Sequence, residues 1–262
     1  MEGNMYSLGG LYWIILSSMK KTYYKTVFIS DIHLWNLKNQ SEKLIHFLDS
    51  ICMETLIIVW DFLDYWQLAW FWKRTERETK MLNYINSLAE KWINIIYIQW
   101  NHDRYLKCSD TIRLKNISIV RDMYYSTSKW NKYYVTHWDC LDWINSNWNK
   151  LWEIWSVMYG LLLRVEWLIS KRALKISHLS WAEKLDYWVK KWRMPESKIR
   201  RKITKFAKNL VCDWIIIGHF HVAKHYDINW LDYFNTGDWL KNCSAVVENS
   251  FWDLELIFYG DK

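Results

Sequence analysis

Five short apolar segments of this chain each end in a group of Asp, Asn or His residues. The segments span residues 24–30, 55–59, 93–98, 133–136 and 214–217, and their length and β-branched content predict buried strands. The groups that follow are Asp31-Ile32-His33, Asp61-Phe62-Leu63-Asp64, Asn101-His102-Asp103, His137-Trp138-Asp139 and Gly218-His219-Phe220-His221. Because sites in open α/β sheets form outside the carboxyl ends of the strands, we expect these five groups to converge on one point.

The segments between these strands predict an α/β fold with an inserted helical region. Residues 41–50 and 73–90 have the periodicity of amphipathic helices, and short strands are predicted at 221–228, 233–235, 244–248 and 254–258. Residues 149–209 are helical in pattern, basic and apolar together, which predicts a cap inserted into a domain of residues 19–262. Residues 1–18 are expected to lie outside the fold, and Met19 is an alternative start.

The residue types in the five groups favour divalent metal ions. Imidazole and carboxylate ligands without thiolate suit hard-to-borderline cations. An Asp-x-His pair and a His-x-His pair each place two ligands on one side of an extended segment, and Asp61 can bridge two cations. Two neighbouring metals would orient a phosphate and generate hydroxide at neutral pH. Any one of these pairs alone could be an ordinary surface pair, and it is their conjunction in chain order that favours a metal site.

Five motifs resemble those of the calcineurin-like metallophosphoesterases. They read FISDIHL, VWDFLDYW, WNHD, THWDCLD and GHFH, with Trp in place of the family's Gly at four points. The segment YFNTGDWLKNCSAVVE resembles, more narrowly, the UDP-2,3-diacylglucosamine hydrolase (diphosphatase) branch, which belongs to lipid A biosynthesis. The resemblance extends from about residue 25 to residue 258.

This resemblance implies a fold, a cofactor and a set of roles. The implied fold is a two-sheet αββα sandwich, and the implied cofactor is a pair of divalent metals, often manganese, with Fe, Zn or Mg as alternatives. Asp31, His33 and His221 would hold one metal, Asn101, His137 and His219 the other, and Asp61 would bridge both. A metal-bridging hydroxide would attack phosphorus. His102 would stabilise the transition-state oxygen or protonate the leaving group, oriented by Asp103.

Tryptophan is abundant in this chain where glycine is expected. The chain has 22 Trp and 7 Gly, whereas average usage would give roughly 18 Gly. Trp35, Trp60, Trp100 and Trp138 stand at motif positions where the family has Gly, and Trp214 and Trp230 stand where Gly is also expected. One hypothesis is that the tryptophans are genuine and the site is remodelled or inactive. The other is a decoding error, because UGA is read as glycine in some organisms and as tryptophan in another common alternative code.

The charge distribution and the cysteines limit the partners and the compartment. Residues 164–208 contain 14 Lys and Arg against 4 Asp and Glu, while the whole chain carries +7. This basic block predicts an anionic partner, which could be a phosphate-bearing substrate, an anionic membrane surface or nucleic acid. Nucleic acid is disfavoured because the block lacks a recognised binding module. Five cysteines without CxxC spacing predict reduced thiols and a cytoplasmic protein, peripheral on the inner membrane face if it binds lipid.

The cap leaves two interpretations of the substrate open. Residues 155–169 are apolar on nearly all faces, which predicts either a buried helix or a groove for acyl chains beside the basic helix. With the family resemblance, this favours hydrolysis of the pyrophosphate of UDP-2,3-diacylglucosamine or a similar lipid-linked nucleotide diphosphate. The alternatives are a phosphodiesterase or phosphatase of the same fold with another substrate, and an inactive binding homologue. Acyl length, metal identity and oligomeric state stay open.

Overall fold

A computed structural model describes most of the strand-forming part of the chain. The described residues are 21–34, 36, 39–62, 76–99, 117–136, 158, 162, 196–210, 212, 214–219, 221–228 and 231–260. The chain divides into two compact units, residues 1–138 with 212–262 and residues 139–211. The predicted extension at 1–18 and most of the predicted cap at 149–209 lie outside the described residues, so both boundaries stay predictions.

The first unit contains two β-sheets. The first sheet has the order β11-β10-β1-β2-β3-β4 and the second has the order β5-β6-β7-β9-β8. The strands are β1 Thr22–Ser30, β2 Ile51–Val59, β3 Asn94–Ile98, β4 Ile117–Val120, β5 Met123–Ser126, β6 Lys132–Thr136, β7 Trp214–Ile217, β8 Lys224–Ile228, β9 Leu231–Asn235, β10 Ser244–Glu248 and β11 Leu254–Phe258. Strands β1 to β4 are parallel, as are β6, β7 and β9. Their carboxyl ends therefore share one edge within each sheet.

The two sheets pack face to face, and helices cover the outer face of the first sheet. Phe28, Ile57 and Val246 of the first sheet form one buried cluster with Val135 and Ile216 of the second. Alternate residues of β1 and β2 point the other way, into a cluster shared with helices α1 (Ser41–Ser50) and α2 (Glu76–Glu90). Both faces of the first sheet are buried, as its continuous apolar strands require.

The predicted two-sheet α/β class is confirmed, with differences in detail. Strand β2 begins at Ile51 rather than residue 55, because the paired register with β1 extends back to Thr22. Strand β8 begins at Lys224 rather than residue 221, because its pairing with β9 begins at Lys224 and residues 221–223 precede it without regular structure. Strands β4 and β5 were not predicted, because each has only four residues and neither has a fully buried position.

In the second unit, the described helix α3 (Glu196–Leu210) is strongly basic. Ile203 and Ala207 are fully buried, while Arg200, Arg201, Lys205 and Lys208 are exposed. An apolar stripe on a helix of this composition leaves the cationic side chains on the opposite face. Among the described residues, no helix has the length and apolar content needed to cross a lipid bilayer.

Candidate metal centre

Asp31 follows β1 directly, and its two carboxylate oxygens face different groups. Oδ2 accepts hydrogen bonds from the Ser30 hydroxyl and, at 2.8 Å, from the backbone N–H of His219. Oδ1 lies 3.8 Å from Nε2 of His33 and 3.5 Å from Nε2 of His221. Both distances exceed a hydrogen bond and leave space for a cation between the three groups. The carboxylate is fully buried, so a positive charge at this point would offset its desolvation.

Three side chains from two sheets meet at this point. The ligand atoms of Asp31, His33 and His221 all lie within 4.8 Å of one another. The two imidazole rings are stacked, with centroids 5.0 Å apart and planes at 12°. One carboxylate oxygen and two imidazole nitrogens form a donor set that fits Mn²⁺, Fe²⁺ or Zn²⁺. The residues predicted to share one metal are therefore close enough to do so.

The end of β2 brings Asp61 beside this cluster. Its Oδ2 lies 3.7 Å from His33 Nε2. Backbone hydrogen bonds continue beyond the strands, since the N–H of Asp31 donates to Trp60 O at 3.3 Å and that of His33 to Asp61 O at 2.8 Å. The two strand ends therefore run side by side, and the Asp61 carboxylate lies at the margin of the cluster, as a bridging ligand requires.

Gly218 permits the close approach of the β7 end to β1. A Cβ at this position would lie 2.8 Å from the Ser30 Cβ and 2.9 Å from Asp31 Oδ2. Contacts this short do not occur for real side chains, so a larger residue would push the His219 amide away from Asp31. The Gly-His-x-His motif therefore requires its glycine for packing as well as its histidines for chemistry.

The other half of the predicted site lies beyond the described structure. Asn101, His102, Asp103 and His137 are outside the described residues, so their roles stay predictions. His219 is described, and its backbone amide contacts Asp31. The predicted ligand role of its side chain stays a prediction too. The described structure thus brings together Asp31, His33, His221 and Asp61 of the nine predicted site residues, with the His219 backbone.

The family resemblance includes the segment after β9, but no residue of that segment is among the predicted site residues. The Ser30 hydroxyl lies 2.6 Å from Thr236 Oγ1 and 3.1 Å from the carbonyl of Gly237. Oδ2 of Asp238 lies 3.3 Å from Nδ1 of His221. Thr236-Gly237-Asp238 is one more polar group after a buried strand, and the rule that found the other five groups could have found it.

The environment of Asp238 favours its charged form. Burial opposes ionisation of this carboxyl, but hydrogen bonds from His221 and from the backbone amides of Lys241 and Asn242 outweigh burial. The pKa of Asp238 therefore lies below its ordinary value. A carboxylate is thus kept next to the ring nitrogen of His221 that faces away from Asp31.

Of the tryptophans predicted to replace glycine, two are described. Trp60 has φ 59° and is almost fully buried, with its indole in the hydrophobic cluster under helices α1 and α2. Trp214 lies within β7 and packs against Tyr133, with ring centroids 5.8 Å apart. An extended strand residue has no backbone need for glycine, so only Trp60 has the expected left-handed backbone. Trp35, Trp100, Trp138 and Trp230 lie outside the described residues.

Comparison with known proteins gives weak structural likenesses and no sequence match. No family model and no curated protein matches the chain. An archaeal phosphodiesterase is similar over 89% of this chain and 98% of its own, at 13% identity and a TM-score of 0.42. A predicted phosphoesterase from Streptococcus pneumoniae is similar over 86% and 81%, at 13% identity and a TM-score of 0.34. The phosphopantetheinyl hydrolase of Mycobacterium tuberculosis is similar over 84% and 91%, at 9% identity and a TM-score of 0.35. Because all three TM-scores are below 0.5, these likenesses do not indicate a function.

Proposed function

We propose that this chain is a dinuclear-metal phosphoesterase of the calcineurin-like type. The observation that carries the proposal is the convergence of Asp31, His33 and His221 at the carboxyl edges of the two sheets, with ligand atoms within 4.8 Å of one another. Asp61 at 3.7 Å from His33 supplies the next carboxylate. Bound divalent cations would polarise a phosphoryl oxygen and provide an activated water at neutral pH.

The residues of this chain then have distinct tasks. Asp31, His33 and His221 would hold one cation, and Asp61 would contribute to both cation positions. Asn101, His137 and His219 would complete the second position. His102 would donate a proton to the leaving oxygen or stabilise charge on phosphorus-bound oxygen, and Asp103 would orient it. The mixed imidazole and carboxylate ligands suit Mn²⁺, Fe²⁺ or Zn²⁺, and the family resemblance favours Mn²⁺ among them.

We propose as substrate the pyrophosphate of UDP-2,3-diacylglucosamine or a similar lipid-linked nucleotide diphosphate. Supporting this substrate are the NTGDW segment and the basic helix α3, whose Arg200, Arg201, Lys205 and Lys208 are exposed. Cations on one helix face suit the diphosphate head of an amphiphile and an anionic membrane surface. The product side would be UMP and the acylated sugar 1-phosphate.

The test is metal-dependent hydrolysis by the full chain. After chelation and addition of Mn²⁺, we expect cleavage of UDP-2,3-diacylglucosamine to exceed that of UDP-N-acetylglucosamine and of bis(4-nitrophenyl) phosphate. His33→Gln should lower cleavage by about a thousandfold, the equivalent of several kcal/mol of lost metal stabilisation. His46→Gln is the matched control, because His46 is exposed on α1. Activity on the soluble diester alone would favour a different substrate of the same fold.

Trp60 favours one competing function, an inactive binding homologue. Trp60, directly before Asp61, has a strained backbone with φ 59°. If metal binding does not offset this strain, the backbone would relax and Asp61 would leave the position that catalysis requires. Calorimetric titration of the metal-free chain with Mn²⁺ separates the two functions. Absence of Mn²⁺ binding together with absence of hydrolysis would support the inactive homologue.

A further inference from the structure

The two oxygens of Asp238 have different partners. Oδ1 accepts the backbone N–H groups of Leu240, Lys241 and Asn242 at 3.0, 2.7 and 2.9 Å. Oδ2 accepts the Asn242 side-chain amide at 2.8 Å and lies 3.3 Å from Nδ1 of His221. The first oxygen therefore organises the turn after β9, and the second faces a metal-site residue.

The His221 ring is held on both sides. Its Nδ1 faces Asp238, while its Nε2 lies 3.5 Å from Asp31 Oδ1. The amide of Asn242 also donates to the backbone carbonyl of His221 at 2.8 Å, so one side chain bonds both to the Asp238 carboxylate and to the histidine backbone. An imidazole that donates Nδ1–H to a carboxylate presents an unprotonated Nε2, which is the form that binds a cation.

The loop that carries Asp238 is itself fixed to β1 and β10. Gly237 has φ 80°, and a Cβ there would lie 2.0 Å from Ser244 Oγ, so the backbone at this point requires glycine. The Ser244 hydroxyl donates to the carbonyl of Thr236 at 2.7 Å, and Thr236 contacts Ser30 beside Asp31. Asp238 is therefore presented to His221 from a rigid segment that also supports Asp31.

We propose that Asp238 is a positioning residue for the metal centre, which holds His221 in the Nδ1–H tautomer with Nε2 directed at the cation. This inference rests on the proposed metal-dependent function. It adds a residue outside the ligand set that positions a ligand, His221, and does not itself bind the cation. Such outer carboxylates change metal affinity by about 10- to 100-fold.

Asp238→Asn separates the structural task from the positioning task. Asparagine keeps an oxygen at the position of Oδ1, which can still accept the three backbone amides. Its NH₂ group replaces Oδ2 and donates toward His221 Nδ1, which reverses the tautomer and places the proton on Nε2. We expect the metal-free variant to unfold at a somewhat lower denaturant concentration than wild type, because its NH₂ group also faces the Asn242 amide that Oδ2 accepts, and to bind Mn²⁺ about 10- to 100-fold more weakly.

Asp232→Asn is the matched control. Asp232 also contacts a histidine, His225, and accepts the Tyr133 hydroxyl at 2.7 Å, but it lies near the start of β9 rather than after its carboxyl end. Calorimetric titration with Mn²⁺ should give the wild-type affinity for this variant. Long-range ¹H–¹⁵N spectra of the metal-free protein should show His221 as Nδ1–H in wild type and in Asp232→Asn, and as Nε2–H in Asp238→Asn.

The outcomes distinguish this inference from the proposed function. Wild-type affinity in Asp238→Asn, or an Nε2–H tautomer of His221 in wild type, would overturn the positioning role while leaving metal-dependent hydrolysis intact. Absence of Mn²⁺ binding by wild type would overturn the proposed function instead. If Asp238→Asn does not fold, the tautomer in the wild-type protein decides the question without the variant.

Discussion

Among the described non-glycine residues, left-handed backbone occurs mainly in two regions, and only one of them has a chemical reason for it; Cys243, with φ 47° just before β10, belongs to neither. At the carboxyl edge of the sheets, Asp31, His33, Trp60, Asp61, His219 and His221 all have positive φ. In exposed turns, so do Trp92, Trp130 and Trp252. At the first region, five of the six residues are predicted to be metal ligands. At the second, every residue is a tryptophan.

The turn after helix α2 shows why a small residue is expected there. The N–H of Ile93 donates to Leu88 O at 3.3 Å, and that of Trp92 to Ala89 O at 3.3 Å. This pair of bonds is the Schellman motif, in which the residue after the helix end is left-handed and is usually glycine. Trp92 occupies that position with φ 66° and is 95% exposed, so its indole has no packing to offset the strain.

Two hairpins also have a tryptophan with left-handed backbone. In the β5–β6 loop, Trp130 N–H donates to Thr127 O at 2.9 Å and Thr127 N–H to Asn131 O at 2.9 Å. In the β10–β11 loop, Trp252 N–H donates to Asn249 O at 3.0 Å and Asn249 N–H to Asp253 O at 2.9 Å. In both, the tryptophan is the fourth residue of a β-turn and has the left-handed backbone of the bulge position that glycine fills in such hairpins.

The left-handed residues at the sheet edge and those in the turns therefore have separate origins. Functional sites store backbone strain because ligand geometry requires it, and Asp31, His33 and His221 fit that explanation. The turns have no ligands, and three unrelated turns with tryptophan at the glycine position match the decoding hypothesis. That hypothesis was framed at the motifs, and the structure extends it to positions 92, 130 and 252.

Peptide sequencing by mass spectrometry decides whether the tryptophans with left-handed backbone are genuine. In protein isolated from the source cells, we expect glycine at 60, 92, 130 and 252, because all four have left-handed backbone. We expect tryptophan at 239, which is buried in the core and has no positive φ. Tryptophan at all five positions would refute the decoding hypothesis and make the turn strain a property of the protein.

Trp60→Gly in the recombinant chain is expected to be destabilising. The indole is 2% exposed and belongs to the core cluster, so its loss costs about 3–5 kcal/mol of unfolding free energy. Relief of left-handed strain returns about 1–2 kcal/mol. Urea unfolding should therefore show a net loss of about 1–4 kcal/mol. Trp239→Gly is the control in the same cluster and should lose more. A gain in stability for Trp60→Gly would mean that the core accommodates glycine better than the indole.

Prediction from sequence succeeded where one residue pattern determines one structure. The strands ending at Ser30, Val59 and Ile217 were found because their apolar residues are continuous and polar groups follow directly. Strands β4 and β5 were missed because four alternating residues give little periodic signal. The turns were missed for a different reason, since a left-handed position depends on hydrogen bonds such as that from Ile93 to Leu88, which no side chain encodes.

Trp92→Gly and Trp130→Gly are expected to stabilise the chain. Both indoles are exposed, at 95% and 88%, so their removal loses almost no burial. Glycine relieves about 1–2 kcal/mol of left-handed strain and loses part of that gain to the greater entropy of the unfolded chain. Each variant should gain about 1 kcal/mol of unfolding free energy in urea. Trp→Ala at the same positions is the control, and an equal gain for alanine would attribute the effect to the indole rather than to the backbone.

Trp252→Gly should have the smallest effect of the series. Trp252 has the same turn and nearly the same φ as Trp130, but it is only 45% exposed and the Lys25 ammonium lies 5.8 Å from its ring. Losing this cation–π contact costs about 0.5–1 kcal/mol, which offsets most of the strain relief. In a Lys25→Met background, Trp252→Gly should stabilise the chain about as much as Trp130→Gly does. Neither the Lys25→Met parent nor the double variant has the cation–π contact, so only the relief of backbone strain remains. Equal effects of Trp252→Gly with and without Lys25 would show that the backbone alone sets the stability of these hairpins.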